Sequence, residues 1–176
     1  MSAFPGLTPG TWTVDPTHTE VGFVARHLMV AKVRGRFAEV AGSVTAGESF
    51  ADTTLEAVVQ AGSIHTNQND RDVHLRSADF FDVEQFPTLT LRSTEVTADR
   101  LTADLTIKDV TRPVTFDLEF DGVQADPWGN TKAGFTATTS INRSDWGLTW
   151  NAALEGGGVL VSDKIQITIE AELLKA

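Results

Sequence analysis

Histidines, carboxylates and serines are the groups from which an active site would be built, and their spacing decides whether they can act together. The four histidines, His18, His27, His65 and His74, stand on separate segments. No HExxH or closely spaced His pair occurs, so no zinc-ligand set is legible. Asp70 and His74 would share a helix face at i,i+4, but two groups are not a coordination sphere. Acyl-transfer chemistry is equally unsupported, because there is no Gly-x-Ser-x-Gly elbow around any serine. Gly156-Gly-Gly158 lacks the Lys-Ser/Thr of a phosphate loop and reads as a turn or bulge. The absence of cysteine removes thiolate metal sites, disulfides and a Cys nucleophile together. The expectation is a protein that is not an enzyme and uses neither metal nor cofactor.

What could position polar groups is a set of strands. Runs rich in Val, Ile, Thr, Phe and Leu alternate with period two between Gly, Asp, Asn and Pro, over Thr19–Leu28, Lys32–Thr45, Thr54–Ala61, Thr88–Val96, Leu101–Ile107, Val114–Val123, Lys132–Ile141 and Ile165–Leu173. Strict alternation, as in Ile165, Ile167 and Ile169, gives each strand one dry and one wet face, the pattern of antiparallel sheets rather than of parallel α/β sheets. Short connections at Thr97–Arg100 and Asp109–Pro113 predict an up-and-down meander. The fold class is therefore all-β, an antiparallel up-and-down β-barrel of about eight strands, since closure removes exposed edges. Gly35 and Gly42 predict bends or close backbone approach. Asn67–Pro87 breaks the alternation and predicts one short helical segment lying over the barrel or plugging one end. At 176 residues the whole chain, 1–176, reads as one domain.

Charge excludes some partners. With 24 acidic residues against 14 Lys plus Arg, the surface repels phosphate backbones and anionic membranes, so no nucleic acid is expected. The local run Arg26, Lys32, Arg34 and Arg36 reads as solvated strand edges. No segment approaches the roughly 18 apolar residues of a membrane span, so no stable membrane insertion is expected. The N-terminus lacks a basic and an apolar leader region, which predicts a cytoplasmic protein. Small inward residues, Ala25, Ala57, Ala61, Ala103 and Ala137, leave room beside Phe and Leu, and a solid core and an apolar cavity are both compatible with that pattern.

Six sets of motifs follow one another along the chain: Trp12-Thr-Val-Asp15-Pro-Thr-His18-Thr with Val21-Gly-Phe23, Gly35-Arg-Phe37, Gly62-Ser-Ile64 with Thr66, Arg71-Asp-Val-His74-Leu with Asp79-Phe-Phe81-Asp and Phe86-Pro87, Leu105-Thr-Ile-Lys-Asp-Val-Thr-Arg-Pro113-Val, and Ile141-Asn-Arg143-Ser-Asp145-Trp-Gly147-Leu. In this order they resemble the YceI-like family. Lys108-Asp109 departs from the His-Gly pair usual there. The resemblance implies a lipocalin-like barrel whose tunnel holds an extended isoprenoid lipid, such as an isoprenoid quinone or polyprenyl phosphate, for transport or storage. Strand parity then assigns the tunnel lining to Val21, Phe23, Ala25, Leu55, Ala57, Val59, Leu89, Leu91, Leu105, Ile107, Phe116, Leu118, Phe135, Ala137, Ile165 and Ile167. His18, His27, Arg71, His74 and Arg143 are the candidate head-group contacts, with Arg71–Asp72 and Arg143–Asp145 as alternative structural pairs. An enzyme acting on a lipid and a ligand-free interaction domain stay open as alternatives, as does a homodimer.

Overall fold

In the computed structural model, which describes residues 4–155 and 158–176, the alternating runs become an antiparallel sheet. The strands are β1 (Gly10–Val14), β2 (Glu20–His27), β3 (Ala31–Phe37), β4 (Val40–Ala46), β5 (Thr54–Gln60), β6 (Ile64–His65), β7 (Thr88–Val96), β8 (Arg100–Ile107), β9 (Val110–Ala125), β10 (Thr131–Asn142) and β11 (Lys164–Lys175). Two pairs are long strands broken once. β1 continues into β2 through a turn in which the Thr17 amide and hydroxyl donate to Asp15 Oδ1, at 3.0 and 2.7 Å. β3 continues into β4 past Ala38 and Glu39. Counted this way, eight long strands follow one another as a meander.

β11 closes the ring by pairing with both halves of the first long strand, Val14↔Leu173 on β1 and Phe23↔Ile167 on β2. The predicted closed, eight-stranded, up-and-down barrel is the observed fold. Two irregularities curve it: one between Ser93 and Glu95 on β7, and one where Gly122, at φ 112, opposes Gly134 with Asp121 as the extra residue. Each shifts the inward parity, so Val96 and Val123 face in although they break the even spacing of their strands.

Two details differ from the sequence reading, and one reading falls largely outside the described residues. β1 carries no long alternating run and was not among the predicted strands. The β8–β9 turn is tighter than predicted, confined to Lys108-Asp109 with φ of 52 and 62, and β9 already runs through Val110–Pro113. Gly156 and Gly157 lie outside the described residues, while Gly158 has φ 85.

The predicted helical segment contains α1 (Asn69–Arg76), started by the Gln68 side chain, which accepts from the Arg71 amide at 2.6 Å. It follows β6 at the end of the barrel that also carries the β2–β3 turn. At the opposite end the N-terminal segment is folded inward: Phe4 is buried against Phe50, Phe120 and Phe135, with ring centroids 5.0, 5.2 and 5.1 Å apart. Trp12, in the same core, is fully buried and donates from its indole nitrogen to Thr8 O at 2.9 Å.

Candidate functional site

Inward side chains of a filled barrel should lose nearly all their exposed surface. Here Val21, Phe23, Leu55, Val59, Ile165 and Ile167 point inward and are only half-buried. The surface they retain faces an internal cavity of about 260 Å³. Such a void, larger than the roughly 150 Å³ apolar cavity known to stay dry and accept benzene, favours an apolar occupant over water.

All sixteen positions assigned by parity lie on the cavity wall. β2 supplies Val21, Phe23 and Ala25; β5 supplies Leu55, Ala57 and Val59; Leu89 and Leu91 come from β7, Leu105 and Ile107 from β8. Phe116 and Leu118 stand on β9, Phe135 and Ala137 on β10, and Ile165 and Ile167 on β11. Ala61 and Ala103, also read as inward spacers, are buried in the packed shell rather than on the wall. Gly35 has a specific use, because a Cβ there would lie 2.7 Å from Phe23 Cε1, so its absence lets the Phe23 ring lie flat against β3.

Sequence reasoning missed one end of the cavity and anticipated the other. Phe4 and Leu7 close one end, from a stretch with no periodicity to mark it. Leu75, Phe80 and Phe81 close toward the other, matching the excess of large apolar groups in the helical segment.

Of the five candidate head-group residues, Arg143 alone reaches the wall. The other polar wall residues are threonines, so among the described residues Arg143 is the wall's one titratable group. It sits in the tight turn after β10, 5% exposed, donating to Ser162 O at 2.9 Å, Leu148 O at 2.6 Å and Val161 O at 3.4 Å. Burial lowers its pKa and Asp163 opposes that shift, yet among the described residues no carboxylate oxygen lies within 4.0 Å of the guanidinium. Its ring neighbour is Phe80, 5.9 Å from the guanidinium carbon. The expected Arg143–Asp145 pair is therefore replaced by carbonyl contacts.

The remaining four stand off the wall. Arg71 donates from Nε to Thr66 Oγ1 and from NH2 to Thr66 O, both at 2.8 Å, rather than pairing with Asp72. Asp72, buried, accepts from the Thr66 amide at 2.9 Å and holds the β6–α1 turn. His74 contacts Asp79 at 2.9 Å and packs edge-on against Trp150 and Phe80. His27 is exposed and bridges to Val161. His18 contacts Asp15 at 3.0 Å, and with Glu172 these form a cluster of ligand-type atoms within 4.8 Å. Lys132 already supplies positive charge there, 2.9 Å from Glu172 and 3.4 Å from Asp15, and those contacts raise its pKa, the hydrogen bond to Glu172 most.

A family model described as the YceI-like domain matches residues 12–173. The chain belongs to the YceI-like family. UPF0312 proteins of Staphylococcus aureus, among them that of strain N315, are 37% identical to this YceI-like chain over 163 residues, covering 92% of it and 95% of the relative. The Campylobacter jejuni YCEI protein superposes with a TM-score of 0.70 at 26% identity, over 86% of this chain and 90% of that one. At 20% identity, Burkholderia cenocepacia BcnA shares the fold with a TM-score of 0.75, over 90% and 98%. A polyisoprenoid binding domain from Saccharophagus degradans, implicated in plant cell wall breakdown, shares it at 15% identity and a TM-score of 0.69, over 94% and 98%. No helix among the described residues of this YceI-like chain is long and apolar enough to cross a membrane.

Proposed function

We propose that this YceI-like protein binds an extended isoprenoid lipid inside the barrel, as carrier or store rather than as catalyst. The observation that carries the reading is a wall of aliphatic and aromatic side chains interrupted only by threonines and one arginine. Burial at about 25 cal/mol per Å² makes a hydrocarbon tail a strong ligand for such a surface without directional contacts. Among the described residues the wall offers no carboxylate, imidazole or serine hydroxyl to act as base or nucleophile on a bound molecule. Family membership and the Saccharophagus degradans domain, named for polyisoprenoid binding, support the same ligand class.

Arg143 gives the cavity one polar end. A guanidinium held by carbonyls, with no carboxylate in direct contact among the described residues and Asp163 acting on it only at longer range, brings positive charge to the wall, and a quinone oxygen or a phosphate would complement it. The sixteen wall positions are then the tail contacts, and Arg143 the head-group contact.

Native mass spectrometry of freshly purified protein, followed by organic extraction, tests the proposal. A bound mass in the isoprenoid range is expected, with Arg143→Lys retaining it and Arg143→Met shifting which head groups are recovered. Protein that carries no lipid, and takes up no octaprenyl quinone or polyprenyl phosphate when offered, would overturn it.

A further inference from the structure

The turn joining β2 to β3 contradicts the ordinary rules for an exposed hairpin. Val30 N donates to His27 O at 3.2 Å, and the two central residues, Leu28 and Met29, both have positive φ, 54 and 60. That is the requirement of a type I′ turn, for which Asn-Gly is favoured and bulky side chains are strained. The β8–β9 turn has the same backbone signs and uses polar Lys108-Asp109. At the β2–β3 tip the chain instead presents Leu28, Met29 and Val30 at 41%, 57% and 81% exposure. Strain and exposed apolar surface together point to a use for the tip outside the fold.

The flanks of the tip supply the second observation. Arg26 and Lys32 are cross-strand partners, Arg34 opposes Val24 and Arg36 opposes Gly22, all four cations being exposed on the outer face. None of the four side chains makes an ion pair or hydrogen bond with a described residue; Arg26 is tied down through its amide alone, which donates to Ser162 Oγ at 2.9 Å. No acid occurs between Glu20 and Glu39, and Lys164 extends the cationic face at the start of β11, with Asp163 beside it held by Ser144. The chain has a net charge of −10, but charges more than about 8–10 Å away are largely screened at physiological salt, so a surface approaching the tip meets the local cations.

The tip also adjoins the cavity. Leu28 N donates to Leu160 O at 2.9 Å, His27 bridges to Val161, and both Val161 and Ala25 lie on the cavity wall.

We infer that the Leu28-Met29-Val30 turn and its flanking cations dock the barrel on an anionic lipid bilayer, the apolar tip entering the interface and Arg26, Lys32, Arg34 and Arg36 meeting the head groups. The docking follows from the tip alone; its purpose, exchange of a lipid between bilayer and barrel, rests on the function proposed above. The overall negative charge sets the opposite expectation for a uniform surface, and the clustering on one hairpin reverses it locally.

Flotation with vesicles of phosphatidylcholine, alone or with 30% phosphatidylglycerol, tests the docking. Wild-type protein should partition to the anionic vesicles and be released by 1 M NaCl. Lys32→Gln/Arg34→Gln should weaken binding about 25-fold, at roughly fivefold per cation. Leu28→Asn/Met29→Gly/Val30→Ser should weaken it at least tenfold while thermal stability holds or rises, because Asn-Gly suits the turn. A merely structural tip would give the reverse, unchanged binding and lower stability, and would overturn the inference. So would binding lost only by the cation variant, which marks a polyanion patch, or wild-type binding no stronger to anionic than to neutral vesicles. Native mass spectrometry of the same preparations separates the two proposals. Empty barrels that still dock would sink only the cargo, and lipid-filled barrels that ignore anionic vesicles would sink only the docking.

Discussion

Filling the cavity should move stability and lipid binding in opposite directions. Ala57 on β5 and Ala137 on β10 both lie on the wall, four strands apart in either direction around the closed sheet. In Ala57→Leu/Ala137→Leu, each new side chain projects from opposite walls into the void and adds three carbons. At about 0.8 kcal/mol per buried methylene, each site gains about 2 kcal/mol if the void accepts the leucine. For a chain of this size that corresponds to roughly 4–8 °C per site in melting temperature. The assay is thermal unfolding of delipidated protein, paired with uptake of an octaprenyl quinone read by native mass spectrometry. The expected result is a higher melting temperature together with lipid uptake reduced at least tenfold. Overpacking of a filled core costs about 1–3 kcal/mol instead, so a destabilised double variant would refute the open interior. Unchanged uptake in a stabilised variant would place the lipid elsewhere.

Gly35→Ala puts a methyl against the Phe23 ring and pushes that ring into the cavity, at a cost of about 1–3 kcal/mol measurable by urea unfolding. Phe23→Ala in the same background should recover much of the Gly35→Ala loss. Phe4→Ala removes three ring contacts at the closed end and should lower stability by about 3–5 kcal/mol while lengthening the cavity, which uptake of longer prenyl chains would report. The Asp15 carboxyl is held well below its ordinary 3.8, most by the Thr17 hydroxyl and then by His18, with Lys132 adding to it. A depressed folded value means its contribution is present above the ordinary value and lost as pH falls from there toward the depressed one. Stability measured by denaturation should therefore decline below about pH 4, and Asp15→Asn should flatten that limb while costing about 1.5–3 kcal/mol at neutral pH.

Much of the fold was legible because period-two alternation is a local property. All eight long strands, the first in its β2 half alone, and the placement of sixteen inward residues follow from it, and both parity shifts lie beyond those residues: the one on β7 follows Leu91, and the one at Asp121 follows Leu118. β1 escaped notice because its short stretch carries no long alternating pattern. The head-group residues were harder to place because a polar residue's sequence does not say which wall it meets. His18, His27, Arg71 and His74 found partners in their own turns or at the exposed rim, and Arg143 reached the interior because β10 ends where it does.

By itself the sequence determined the strands, their dry faces, the helical interruption and the family. Whether the dry faces meet or stand apart is a matter of barrel diameter and of what closes the ends, and these depend on contacts between residues distant in the chain. Only the tertiary structure could place Phe4 across one end and Phe80 and Phe81 toward the other, and leave the space between them unfilled. The same holds for the basic hairpin: a run of cations is hidden in a composition of net charge −10, and becomes a surface only when the fold exposes it at one end of the barrel beside an apolar turn.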